Sequence, residues 1–208
     1  MKQYYAIVYL VRHGETENNK KNIIGGNTRL TIEGRQQARE LGRKLSQTRF
    51  DLAISSNLTR AIQTAEILAK QLRIKRVIQY ERFRERDYGK YEGAPISKYQ
   101  EDMKHIFDKI KKIPDEEILK FRRYRGFETD EELGLRVTSA LQQISRENKS
   151  KTILVVSHGI LMRVLLIYVG HASYKSLSPW AINNTAYIKI KCSHNGLRIL
   201  NTDGIDYR

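Results

Sequence analysis

The sequence predicts an α/β protein, a three-layer α/β/α sandwich with a mostly parallel central sheet and an antiparallel edge hairpin. Three observations predict it. Short runs rich in β-branched and aromatic residues (4–11, 51–55, 76–80 and 152–156) alternate with longer stretches whose apolar residues recur every three or four positions. That alternation is the pattern of helices crossing between parallel strands. The last two strands instead follow one another directly and are joined at Asn195-Gly196, a dipeptide suited to a tight hairpin because it tolerates positive φ. No stretch rich in Gly, Ser or Pro divides the chain, so residues 1–208 read as one domain, with a helical lid inserted at about 94–127.

Taken in order, residues 4–11 form a buried strand that stops where the polar Arg12-His13-Gly14 begins. A polar loop containing Gly25-Gly26 follows. Thr31 then has the hydroxyl an N-cap needs, and the helix it starts runs to about Leu45, with Ala38, Leu41 and Leu45 on one face. After the strand at 51–55, Leu58, Ala61, Ile62, Ala65, Leu68, Ala69 and Leu72 make a helical packing stripe. Residues 76–80 give a third strand. Residues 96–111 and 115–121 are helical and are separated by Pro114, which cannot continue a helix hydrogen-bond ladder. A longer helix presents Leu133, Val137, Ala140, Leu141 and Ile144 on one side, and the apolar strand 152–156 delivers Ser157-His158-Gly159. Residues 160–169 are apolar almost all round and therefore predict a buried helix.

Composition narrows the function. The longest apolar runs, 6–11 and 153–156, are far too short to cross a bilayer, and no small-residue cleavage site precedes the first motif, which argues against a secretory leader. The single cysteine, Cys192, has no partner for a disulfide and no clustered ligands for zinc; a cytoplasmic location fits, and Cys192 reads as a small strand residue. Lys and Arg outnumber Asp and Glu by 38 to 23, a formal charge of +15 that would attract phosphorylated substrates, RNA or an anionic membrane alike. Acids interleave the bases even at 104–125, and no nucleic-acid-binding module is recognisable. The expected partner is a small phosphorylated substrate, with neither nucleic acid nor membrane.

Three strand ends carry ionisable groups: Arg12-His13-Gly14, Ser55 to Arg60, and Ser157-His158-Gly159. In open α/β sheets, ligands gather beyond the carboxyl ends of the strands, so these three segments can meet at one crevice. A phosphoryl group presents several negatively polarised oxygens, which planar arginine forks such as Arg12 and Arg60 match well. A neutral imidazole can attack phosphorus, and His13 or His158 could be that nucleophile.

Several motifs occur in a specific order: Arg12-His13-Gly14-Glu15-Thr16 with Asn19; Ser55-Ser56-Asn57-Leu58-Thr59-Arg60-Ala61 with Gln63-Thr64-Ala65; Glu85-Arg86-Asp87-Tyr88-Gly89 with Glu92-Gly93; and Ser157-His158-Gly159. In this order the chain resembles the histidine phosphatase superfamily over about residues 8–184; phosphoglycerate mutases and fructose-2,6-bisphosphatases are members. The resemblance implies phosphoryl transfer without metal or other cofactor through a phosphohistidine on His13. Arg12, Arg60 and a protonated His158 would surround the phosphoryl group, and Glu85 would be the proton donor. It also implies that Asn19, Gly25 and Gly26 line the substrate phosphate, that Tyr88 and Gly159 border the same cavity, and that a homodimer is possible. Asn18, Arg29 and Phe127 depart from the usual family pattern, which puts the substrate pocket in doubt. The short stretch between Gly93 and Glu128 and the apolar Ile160 favour the phosphatase branch. Against them, Arg122-Arg123-Tyr124-Arg125 on the expected lid could hold a second anionic group. A phosphoglycerate mutase is the alternative, followed by an RNA-binding or non-catalytic protein on the same fold.

Overall fold

In a computed structural model, which describes residues 5–193 and 196–208, a six-stranded sheet has the order β3-β2-β4-β1-β5-β6. β1 (Tyr5–Arg12), β2 (Leu52–Ser55), β3 (Val77–Gln79) and β4 (Thr152–Ser157) are parallel. β5 (Ile182–Ser193) joins β1 antiparallel, and β6 (Gly196–Ile205) completes the edge antiparallel to β5. The mostly parallel sheet with an antiparallel edge is the arrangement the sequence predicts. Tyr4, expected to open the first strand, and Asn195 of the expected turn lie outside the described residues.

Alternate residues of β1 face opposite sides of the sheet, as period-two side-chain geometry requires. Val8 and Leu10 pack with Leu133, Val137 and Leu141 of α7 (Asp130–Glu147) and Leu161 and Leu165 of α8 (Gly159–Tyr168). Tyr9 and Val11 meet Leu41 of α2 (Ile32–Lys44) and Ala61, Ala65 and Leu68 of α3 (Thr59–Gln71). Both faces of the sheet are therefore covered, which explains why β1 and β4 read as continuous apolar runs. The stripe on α3 and the apolar side of α7 are packing faces, and Thr31 caps α2 by accepting from the Gly34 amide at 2.9 Å.

The connections differ more from expectation. The loop after β1 contains a short helix, α1 (Glu17–Lys20), because Thr16 and Asn19 cap one another's backbone amides. The single helical stretch expected at 96–111 breaks at Met103 into α4 (Ile96–Asp102) and α5 (Lys104–Ile110), and α6 (Asp115–Lys120) follows Pro114. Two 3-10 turns, Glu81–Phe83 and Gly89–Tyr91, precede α4. Here a separate apolar cluster of Ile24, Tyr91, Tyr99 and Met103, with Phe107 and Tyr124 against it, ties α4 and α5 to the loop after β1. Among the described residues no helix is long and apolar enough to cross a membrane.

Candidate active site

Strand register brings the motifs together. Arg12 at the end of β1 pairs with Ser157 of β4, Ser55 of β2 pairs with Val156, and the His13 amide donates to the Ser157 carbonyl at 3.0 Å. His13 and His158 consequently lie side by side, with ring centroids 5.2 Å apart. Arg60, in the first turn of α3, reaches them, its Nε 3.1 Å from His13 Nε2.

The protonation of His13 follows from its contacts. Its Nδ1 lies 2.7 Å from the Gly14 carbonyl, which can only accept, so Nδ1 carries the hydrogen. Nε2 then holds the lone pair and accepts from Arg60 Nε at 3.1 Å. Burial, then the charges of Arg60 and Arg12, push this imidazole well below its ordinary range, outweighing the Gly14 hydrogen bond. A neutral ring with its lone pair on Nε2 is the form of histidine that can attack phosphorus.

Around that lone pair lie buried polar atoms without partners. Arg12 gives its Nη1 to the Ile182 carbonyl, but its Nε is buried and unpartnered. Both ring nitrogens of the fully buried His158 are likewise unpartnered. Burial lowers Arg12 to about 10, with Glu85 opposing the shift and Arg60 adding to it; the group is still a cation at neutral pH. Burial also lowers Arg60, whose Nη1 is anchored on the Gly26 carbonyl at 2.5 Å. His158 falls well below its usual range through burial and then the cations around it. In the unliganded site burial and its cationic neighbours oppose a positive charge on His158, so the protonated form expected around the phosphoryl group would need that anion beside it.

Glu85 is not an exposed carboxylate paired with a neighbouring arginine. Its Oε1 accepts from the Arg86 and Leu161 amides and its Oε2 from the Ile160 amide, each at 3.0 Å. The last two donors belong to the first turn of α8, whose amides have no intrahelical acceptor.

The other predicted positions fall into two groups. Gly159 is needed beside Arg12: a Cβ there would sit 3.1 Å from Arg12 Nε. Gly25 and Gly26 adopt positive φ of 56° and 72°, and a Cβ on Gly25 would meet Glu92 Oε2 at 1.9 Å. Asn19 lines the cavity, but its Oδ1 is spent on Thr16. Tyr88 lines it too, its ring edge-on to Tyr99 and Phe127. Of Arg122-Arg123-Tyr124-Arg125, only Arg123 lines the cavity; Arg122 is bound to Glu132 and the Phe127 carbonyl, and Tyr124 donates to the Tyr88 carbonyl. Among the departures, Arg29 is exposed and does not line this cavity, Asn18 holds the Gly25 carbonyl at 3.0 Å, and Phe127 is a buried support under Arg86 and Arg123.

Several supporting residues were not singled out by the sequence. Glu92 accepts from the Gly26 and Tyr88 amides at 2.7 and 3.0 Å, so it holds the backbone on which Arg60 is anchored. Thr64 accepts from the Gly14 amide and donates to the Arg60 carbonyl, joining α3 to the His13 loop. Asn184 and Thr185 both donate to the His13 carbonyl, and Thr185 has a positive φ of 59° to do so. Arg86 and Asp130 form a buried ion pair at 2.5 Å, with the Tyr174 hydroxyl donating to the other Asp130 oxygen. Thr64 and Glu92 stand within the quoted motifs, but only the fold gives their side chains partners.

The cavity containing Arg12, His13, Arg60, Glu85 and Gly159 has a volume of about 970 Å³. Among the described residues, no group of three His, Cys, Asp or Glu side chains could hold a metal ion.

Residues 8–203 match the model of the histidine phosphatase superfamily (branch 1). An uncharacterised phosphatase, PhoE, of Bacillus subtilis is 34% identical over 178 residues, covering 85% of this chain and 83% of its own. A 2,3-bisphosphoglycerate-dependent phosphoglycerate mutase of Parvibaculum lavamentivorans is 31% identical, covering 91% and 92%. Among solved structures, Bacillus stearothermophilus YhfR is similar with a TM-score of 0.79 and 25% identity, covering 96% of this chain and 97% of its own.

Proposed function

Because the chain belongs to the histidine phosphatase superfamily, we propose that it hydrolyses phosphomonoesters by passing the phosphoryl group through His13. The observation that carries this is the set of buried, unpartnered polar atoms, Arg12 Nε and both nitrogens of His158, beside a histidine whose Nε2 lone pair is held by Arg60 Nε. Buried polar atoms without partners are costly. A bound phosphoryl group would supply acceptors for Arg12 Nε and for one His158 N–H.

In the proposed reaction, Arg12, Arg60 and His158 hold the phosphoryl oxygens while His13 Nε2 attacks phosphorus in line with the leaving oxygen. Arg60 Nε turns from His13 to the substrate. The dianion removes the electrostatic penalty on a second cation, so His158 gains its proton as the phosphoryl group binds. Glu85 gives a proton from Oε2 to the leaving alkoxide, then takes one from the water that attacks the phosphohistidine. Charge spread over the phosphoryl oxygens in the transition state meets donors already in place, which needs little reorganisation. Helices α4 to α6 act as the lid over this centre, and the single buried Cys192 fits a reducing, cytoplasmic setting.

Hydrolysis of p-nitrophenyl phosphate tests the proposal: the protein turns it over and His13→Ala does not. Equal turnover by both proteins would remove His13 from the reaction. A mutase reading is favoured by Arg123 and Arg163 on the cavity wall, which could take a second acidic group. Isomerisation of 3-phosphoglycerate faster than its hydrolysis would decide for it.

A further inference from the structure

Beyond the phosphate pocket, the cavity is much larger and more apolar than a small polar metabolite needs. Its volume of about 970 Å³ lies at the top of the roughly 300–1,000 Å³ range of sites that enclose drug-sized ligands. A phosphorylated three-carbon acid would leave most of it to water. The walls away from His13 carry Ile96, Phe107, Ile110, Ile113, Ile118 and Ile160. Ile110 and Ile113 are only partly buried and belong to none of the three apolar clusters, so their apolar surface serves no core.

Four of the charged groups on these walls, Lys104, Lys111, Arg123 and Arg163, are engaged, and Lys175 and Arg208 line the cavity as well. Lys104 and Lys111 both pair with Asp108, at 2.7 and 3.1 Å. Arg123 donates to the Tyr99 hydroxyl and lies over the rings of Phe107 and Phe127, 5.4 and 5.0 Å from their centroids. Arg163 spends its Nε on the carbonyls of Leu177 and Ser178 and lies over Tyr174 at 5.2 Å. Guanidinium planes resting on aromatic rings extend an apolar wall as much as they charge it. We therefore propose, building on the phosphatase reading, that the substrate is a phosphomonoester of a bulky, mainly apolar alcohol. The alcohol lies along α5 and α6, against Ile110 and Ile113, while its phosphoryl group meets His13.

Straight-chain alkyl phosphates from ethyl to octyl test this, since their leaving groups have nearly the same acidity and differ only in apolar length. Each methylene that enters the cavity raises kcat/KM about fourfold, the equivalent of about 0.8 kcal/mol, and octyl phosphate exceeds ethyl phosphate by roughly 100-fold or more. Ile110→Ser and Ile113→Ser each lower the octyl-to-ethyl ratio about tenfold, by replacing apolar wall with a hydroxyl. Octyl phosphate also outperforms 3-phosphoglycerate and glucose 6-phosphate. A flat series in an enzyme that still hydrolyses p-nitrophenyl phosphate would overturn the apolar-alcohol assignment and leave the phosphatase reading standing. A preference for either polar metabolite would do the same. Absence of turnover on every phosphomonoester would overturn both.

Discussion

Acidification should destabilise the protein through its two active-site histidines, and the size of the effect follows from their burial. His13 is 3% exposed and His158 0%, and burial with the charges of Arg60 and Arg12 pushes both well below the ordinary imidazole range. The unfolded chain binds protons on these rings from about pH 6.5 downward, whereas the folded chain does not until lower pH. Unfolding therefore takes up protons, and stability is fully present above that pH and declines as pH falls below it. Between about pH 7.5 and pH 5.5, each ring that stays neutral when folded costs about 1.4 kcal/mol, or about 2.7 kcal/mol for the pair. Urea unfolding followed by far-ultraviolet circular dichroism at the two pH values measures the change. Titrating carboxylates contribute to it as well, so the informative quantity is the difference from a His13→Gln, His158→Gln double variant. The double variant should lose about 2.7 kcal/mol less than the parent over this interval. Saturating inorganic phosphate should shrink the difference, because the bound anion lets His158 hold its proton in the folded state. Parent and variant with the same pH dependence, within about 0.5 kcal/mol, would show that both rings titrate normally in the folded protein, and burial would no longer account for a neutral His13.

Three substitutions probe the surrounding groups. Gly159→Ala places a methyl 3.1 Å from Arg12 Nε and displaces that guanidinium; kcat/KM should fall about tenfold while stability holds within about 0.5 kcal/mol, alanine being a better helix former than glycine. An unchanged kcat/KM would mean Arg12 is not positioned by this contact. Arg86→Met leaves Asp130 charged and 4% exposed without its cation, which should cost about 3–5 kcal/mol in urea unfolding; adding Asp130→Leu should recover much of that, and no recovery would show the pair is not the source of the loss. Glu85→Gln should slow alkyl phosphates much more than p-nitrophenyl phosphate, whose leaving group needs no proton; equal losses on both would take Glu85 out of the acid role.

The sheet was legible because its strands are buried on both faces and its helices are amphipathic, so burial wrote two distinct periods into the chain. The stripe from Leu58 to Leu72 and the run ending at His158 are of this kind. The short connections were not, because local hydrogen bonds form them. α1 depends on the reciprocal capping of Thr16 and Asn19, and the break at Met103 leaves the apolar pattern almost intact. For the candidate site, the ordered motifs indicated which side chains to bring together, and β1–β4 register supplies the means. What they did not carry is how each side chain is held: Glu85 on the first amides of α8, Arg60 on a Gly26 that Glu92 fixes, and the His13 carbonyl between Asn184 and Thr185. These partners are 34 to 172 residues apart and involve backbone groups, which no side-chain motif can reveal. The downward shift of His158 was hidden for a related reason, since it depends on complete burial beside four cationic or ionisable neighbours, Arg60, His13, Arg12 and Arg136, contributed by different parts of the fold.

The most direct test of the account is the covalent state of His13 during turnover. Rapid mixing with radiolabelled p-nitrophenyl phosphate, quenching in alkali and peptide mass spectrometry should recover one phosphoryl group per chain on the peptide containing His13. The adduct should be acid-labile and alkali-stable, as a phosphohistidine is, and absent from His13→Ala. Label on His158 instead, or none during a turnover that His13→Ala retains, would contradict the assignment of His13 as nucleophile.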